Sequence, residues 1–145
     1  MAKTAKQLQT LQADALALFV KIHNYHWNIK GMQFHPVHAM TEKLYDAMGE
    51  LYDDCAERLL QLGEKPLVTM AEVAKATRVK EETKSDFDAK YVLTQILAEQ
   101  EALLKAFREL SDKAGEENDK ATVAFADEKI AGLEKDIWML KATLG

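Results

Sequence analysis

All four histidines of this chain fall within sixteen residues: His23, His26, His35 and His38. Three carboxylates follow close downstream, Glu42, Asp53 and Glu57. Imidazoles and carboxylates bind borderline divalent ions, and a set of two imidazoles with three carboxylates suits iron above all. Two pairs have helical spacing: His38 with Glu42, and Asp53 with Glu57. Residues four apart share a helical face. With His38 set at zero and about 100° per residue, Glu42 lies near 40°, Asp53 near 60° and Glu57 near 100°. The four form one stripe, which is either a solvated charged face or a metal-binding one.

The same spacing limits what one helix can do. Glu42 and Asp53 stand about 16 Å apart along a helix axis, whereas metal–ligand bonds are about 2 Å long. One ion cannot be held by both pairs of a single helix. An antiparallel, twofold-related copy would set Asp53 and Glu57 of one chain opposite His38 and Glu42 of the other, giving two equivalent sites per dimer. Bundles that hold di-iron inside one chain take a Glu-x-x-His pair from each of two helices. The sequence contains no Glu-x-x-His, so a centre of that kind is not expected.

These residues need long helices to carry them, and the composition supplies such helices. The chain has 145 residues, 48% of them apolar and 30% charged, with two prolines and six glycines. That is one domain's length, residues 1–145, with few places to turn and many good helix formers. An all-β sandwich or barrel is nearly excluded. Helix A is expected from about Thr4 to Lys30, with Leu8, Leu11, Ala15, Leu18, Phe19 and Ile22 at helical spacing and Gly31 ending it. Helix B is expected from Pro36 to Leu62, stopped by Gly63 and Pro66. Thr69-Met70-Ala71-Glu72 has the capping-box pattern that opens a short helix. Helix C is expected from Phe87 to Ala114, ended by Gly115, and helix D from Asp119 to Leu144. Four such helices describe an all-α four-helix bundle. The long B–C connection can cross the bundle's length, which allows ferritin-like connectivity.

The net charge of −5 argues against a nucleic-acid binder that works through a bulk positive field. No apolar run is long enough to span a bilayer, so no membrane partner is expected. The N-terminal segment lacks a signal-peptide core, and Cys55 is the only cysteine. A reducing, cytoplasmic location fits both facts.

Two stretches carry a family resemblance. His26-Trp27-Asn28-Ile29-Lys30-Gly31, followed by Val37-His38 and Glu42, resembles the first signature of the DNA-binding proteins from starved cells (Dps, the miniferritins). Tyr52-Asp53-Asp54-Cys55-Ala56-Glu57-Arg58, continuing through Leu62-Gly63 to Pro66, resembles the second. The helix pattern fits over the whole chain and is most similar to the neutrophil-activating, bacterioferritin-like branch.

The resemblance implies a ferritin-like bundle with a short helix in the B–C connection, assembled as a homododecamer from twofold dimers. It implies intersubunit ferroxidase centres, with His26, His38 and Glu42 from one subunit and Asp53 and Glu57 from the other. The implied reaction is oxidation of Fe(II), preferentially by hydrogen peroxide but also by dioxygen, with ferric mineral stored inside. The family commonly has Asp where Glu42 stands, and an aliphatic residue where Cys55 stands. Cys55 lies about 200° from Asp53 and is expected in the core.

Around the ligands, Trp27 is expected either beside the iron or as an interface aromatic. His23, on the same face as His26, is expected as a core or supporting residue. His35 is expected to be exposed, and Met40, Met48 and Met139 to pack. In the family, acids near the start of helix D line iron pores. Asp119 and Asp127 are the candidates here, with Glu116, Glu117 and Glu128 nearby, although acids at a helix start also complement its dipole. DNA binding is expected to be weak or absent, because only Lys3 and Lys6 precede or open helix A. The alternative is a nucleoid-associated, DNA-protecting protein in which iron chemistry is secondary.

Overall fold

A computed structural model describes residues 3–145, so Met1 and Ala2, with the start of the N-terminal segment, lie outside the described residues. Five helices follow one another: α1 Lys3–Asn28, α2 Phe34–Gln61, α3 Met70–Ala76, α4 Ala89–Glu116 and α5 Lys120–Leu144. The four long ones form the bundle, and α3 is the short helix of the connection. The core is built from the periodic residues of α1, namely Leu8, Leu11, Ala15, Leu18 and Ile22, against Leu51, Cys55, Leu59, Phe107 and Leu110. Cys55 is wholly buried, and burial pushes its thiol up to about 12, as befits a core residue.

Four boundaries differ from the sequence reading by two residues, each for a local reason. Helix α2 begins at Phe34 and not at Pro36. Pro36 sits in the first turn, where backbone N–H groups have no helical partner to lose. Helix α1 stops at Asn28 because the next residues pair with the connection: the Lys30 amide donates to the Phe87 carbonyl at 2.9 Å. That pairing also keeps Phe87 out of α4, which starts after the Asp88 cap, whose carboxylate accepts from the Tyr91 amide at 2.8 Å.

The fourth is the stop of α4. Gly115 lies inside the helix, and Asn118 takes the left-handed position with φ 58°. Asparagine tolerates that region, and the turn closes as a Schellman motif: Asp119 N donates to Ala114 O at 2.9 Å and Asn118 N to Gly115 O at 3.1 Å. Gly63 plays the same part after α2, as its sequence suggests, with φ 75°. Two other expectations divide. The Thr69 cap forms as expected, its hydroxyl accepting from Glu72 N at 3.1 Å. Met48 is buried and Met40 half-buried, but Met139 is 43% exposed and does not pack.

Chain direction follows from end-to-end contacts. The Thr4 hydroxyl donates to Glu117, which joins the start of α1 to the end of α4. Tyr25 packs on Phe87 at the opposite end. So α1 is antiparallel to α4 and, through the short turn at Gly31, to α2. Helices α2 and α4 are therefore parallel, and residues 62–88 must travel the length of the bundle.

Polar residues of α1 hold that strap. Gln9 donates to Lys65 O, and the Gln12 amide bonds both N–H and C=O of Leu67. Asp14 accepts from the Thr77 hydroxyl, from Arg78 N and from the Arg78 guanidinium at 2.7 and 3.0 Å. Lys21 donates to Lys80 O at 2.7 Å and to Glu99 at 3.1 Å. Asn24 donates to the carbonyls of Glu82 and Lys84. Gln12, Asp14 and Lys21 are buried. Each satisfies strap backbone that would otherwise be costly to bury.

Asp14 carries the densest part of this clasp. Asp14→Ala should lower the free energy of unfolding by about 2 kcal/mol or more and speed amide exchange at Arg78. Chemical denaturation with hydrogen exchange checks this, and a loss under about 0.5 kcal/mol would contradict the clasp.

Candidate metal centre

The α1–α2 turn brings two of the histidines together. His26 lies in the last turn of α1 and His38 in the second turn of α2. Their rings stack with centroids 3.6 Å apart and planes 16° from parallel. His26 Nδ1 lies 2.8 Å from the His38 carbonyl, and His38 Nδ1 lies 2.9 Å from the His26 carbonyl. A carbonyl oxygen only accepts, so both Nδ1 atoms carry the proton. Each ring therefore keeps an Nε2 lone pair free for a ligand, which is the usual arrangement of a metal-binding histidine. His26 is buried and His38 half-buried.

Aromatic rings surround the pair. Phe34 stacks on His38 at 4.9 Å. Tyr45 meets His26 edge-on at 5.1 Å and stacks on His23 at 3.7 Å. His23 donates from Nδ1 to Phe19 O at 2.6 Å and lies 5.3 Å from the ring of Trp27. His23 thus supports the site through Tyr45, while Trp27 is 67% exposed on the outside of the stack. His35 is exposed, as expected.

The carboxylates are distributed along α2. Glu42 follows His38 by one turn and is exposed. Asp53 and Glu57 are exposed farther along the same helix. Desolvation, with Glu42 and Asp46 adding to it, raises the Tyr45 phenol above its ordinary value. Among the described residues of a single chain, no group of three or more His, Cys, Asp or Glu side chains lies close enough to hold one ion. The structure therefore brings His26 and His38 together and leaves Asp53 and Glu57 as a separate pair. Thr41, Tyr45 and Phe34 were not picked out by the sequence reading. Thr41 and Tyr45 follow His38 at three and seven residues, a spacing that would have placed them on its face.

The two pore candidates, Asp119 and Asp127, have partners within the chain. Asp119 caps α5, accepting from Thr122 N and the Thr122 hydroxyl, and pairs with Arg58 at 3.1 Å. Asp127 is exposed and accepts from the Ser111 hydroxyl at 2.7 Å. Burial works to raise the Asp119 carboxyl, but the Thr122 hydrogen bonds and Arg58 outweigh it and hold it below the ordinary value.

A lowered folded-state value stabilises the protein above the unfolded value of 3.8 and is lost as pH falls through the folded one. Asp119→Asn should therefore be less stable than the wild type at neutral pH, with the gap closing below pH 3.8. Thermal melts across pH read this; a constant gap would contradict it.

Comparison with known proteins agrees with this architecture. The ferritin-like domain family model matches residues 5–145. The chain is 51% identical over 142 residues to a DNA protection during starvation protein of Helicobacter pylori, covering 98% of this chain and 99% of that one. It superposes on Helicobacter cinaedi CAIP with a TM-score of 0.97 at 48% identity, over 99% of this chain and 100% of the other. It also superposes on the Dps protein of Vibrio cholerae, described as a member of a broad superfamily of ferritin-like diiron-carboxylate proteins. There the TM-score is 0.94 at 33% identity, over 99% of this chain and 89% of the other.

Proposed function

We propose, from the premise that the chain belongs to the ferritin-like family and within it to the Dps proteins, that it oxidises Fe(II) and stores the ferric product inside a cage of its own copies. The observation that carries this reading is the pair of His26 from α1 and His38 from α2, both rings held with Nε2 free, while Asp53 and Glu57 of the same chain lie too far along α2 to join them. A twofold-related copy would supply the missing carboxylates. His26, His38 and Glu42 of one subunit would face Asp53 and Glu57 of the next, and repetition of such dimers would give a homododecamer of one-domain subunits.

Iron is the substrate. Carboxylates favour Fe(III) over Fe(II), so a mixed set that binds weakly and stays open promotes the oxidation. Two Fe(II) ions held together give up two electrons to one hydrogen peroxide, which takes two protons and leaves as two waters. No hydroxyl radical is released, and this protects against oxidative damage. Dioxygen is the slower alternative oxidant. The longer Glu42 side chain reaches one methylene farther than aspartate and sets how fully a second iron is held. Iron would enter past Asp119 and Asp127 at the head of α5. No helix of the described residues is long and apolar enough to cross a membrane, and we place the protein in the cytoplasm.

Stopped-flow mixing with Fe(II) and hydrogen peroxide tests the reading. Wild-type protein should oxidise Fe(II) far faster than buffer alone, and Asp53→Ala should fall at least tenfold, with the iron no longer held on the protein. Equal rates for wild type, variant and buffer would overturn it.

The name of the Helicobacter pylori relative favours a second reading, in which DNA is protected by binding. Against it stands the charge of −5 per chain, multiplied in an assembly. A gel shift at low salt should show no retardation of duplex DNA. A shift that disappears on adding salt would establish DNA binding as a second role.

A further inference from the structure

We propose that Thr41 is the positioning residue that aims the His26 imidazole at the ion, an inference that rests on the iron-oxidising reading above. Thr41 is wholly buried on α2, three residues beyond His38. Its Oγ1 lies 3.1 Å from His26 Nδ1, 2.8 Å from Val37 O and 3.0 Å from His38 O. A hydroxyl has one proton to give. The two carbonyls can only accept, so that proton points to them and a lone pair faces the His26 ring.

The His26 N–H is therefore forked between two acceptors, His38 O at 2.8 Å and Thr41 Oγ1 at 3.1 Å. A single acceptor fixes how far away the ring sits; a forked pair also resists its rotation. Turning the ring over would present a carbon to both acceptors and move the Nε2 lone pair off the direction it now holds. His38 has no such fork: its Nδ1 has the His26 carbonyl at 2.9 Å, and its ring is held by stacking between His26 and Phe34. His26 approaches from another helix, and the Thr41 hydroxyl ties its ring to the α2 backbone from which His38 and Glu42 project. The hydroxyl thus sets the register between ligands of two helices.

Cobalt(II), which carries the charge of Fe(II) without being oxidised under the same conditions, is the probe. The assembled wild type, Thr41→Val, Thr41→Ser and His26→Ala would be titrated with it, following the visible cobalt bands and the affinity. Thr41→Val keeps the shape and removes the hydroxyl, and it should weaken binding about tenfold or more. Thr41→Ser keeps the hydroxyl and should bind as the wild type does. Wild-type affinity in Thr41→Val, or equal weakening in Thr41→Ser, would overturn the proposal. If Thr41→Val does not fold, Thr41→Ala against Thr41→Ser decides by the same rule. Wild type and His26→Ala binding cobalt equally, or neither binding it, would instead remove the iron reading and this proposal with it.

Discussion

Glu42 and Asp53 stand eleven positions apart on unbroken α-helix. At the rise of an α-helix this is a gap of about 16 Å, and no rotamer closes it. The other features of the candidate site are arranged around that gap. The histidines sit at one end of α2, where the turn at Gly31 folds α1 back and lets His26 reach His38. Asp53 and Glu57 sit farther along, exposed, and among the described residues of the same chain no third metal-ligating side chain joins them to form a site. In the proposed function, a second copy completes the chemistry of a chain built in this way.

Holding His26 in place requires α1 to be rigid, and α1 carries more than its apolar stripe. Its buried face packs the core through Leu8, Leu11, Ala15, Leu18 and Ile22. Its polar residues, Gln9, Gln12, Asp14, Lys21 and Asn24, hold the strap that links the two parallel helices α2 and α4. The strap ends beside the candidate site, where Phe87 bridges to Ile29 and packs on Tyr25, the residue before His26. The same helix thus secures the long crossover and presents a ligand at its end. Glu82 completes the junction by accepting from Tyr25 and Tyr91 at 3.0 and 2.6 Å.

Much of this was legible in the sequence. Helical periodicity gave the four long helices, Thr69 with Glu72 gave the short one, and the depth of Cys55 followed from its angle to Asp53. What escaped was set by tertiary contacts. Gly115 looked like a stop, but the left-handed residue is Asn118, because the cap of α5 at Asp119 fixes where the turn falls. Asp14 and Lys21 fall among apolar residues, and only the strap explains their burial. Asp119, a pore candidate, also caps α5 and pairs with Arg58, and the Arg58 pairing comes from the packing of α2 on α5. Histidine and carboxylate spacing pointed to the candidate ligands. The roles of Thr41 and Tyr45 beside His26 needed the packing of α1 on α2.

The central claim is that each iron site is shared between two copies, and complementation tests it most directly. His38→Ala protein and Asp53→Ala protein would each be prepared alone, then unfolded together and reassembled as a mixture. In a shared site, a heterodimer places the intact histidine of one chain opposite the intact carboxylates of the other and regains one working centre. The account predicts that each variant alone oxidises Fe(II) at the protein-free rate and that the reassembled mixture recovers fast oxidation. A mixture as inactive as its parents, with heterodimers demonstrably formed, would contradict it.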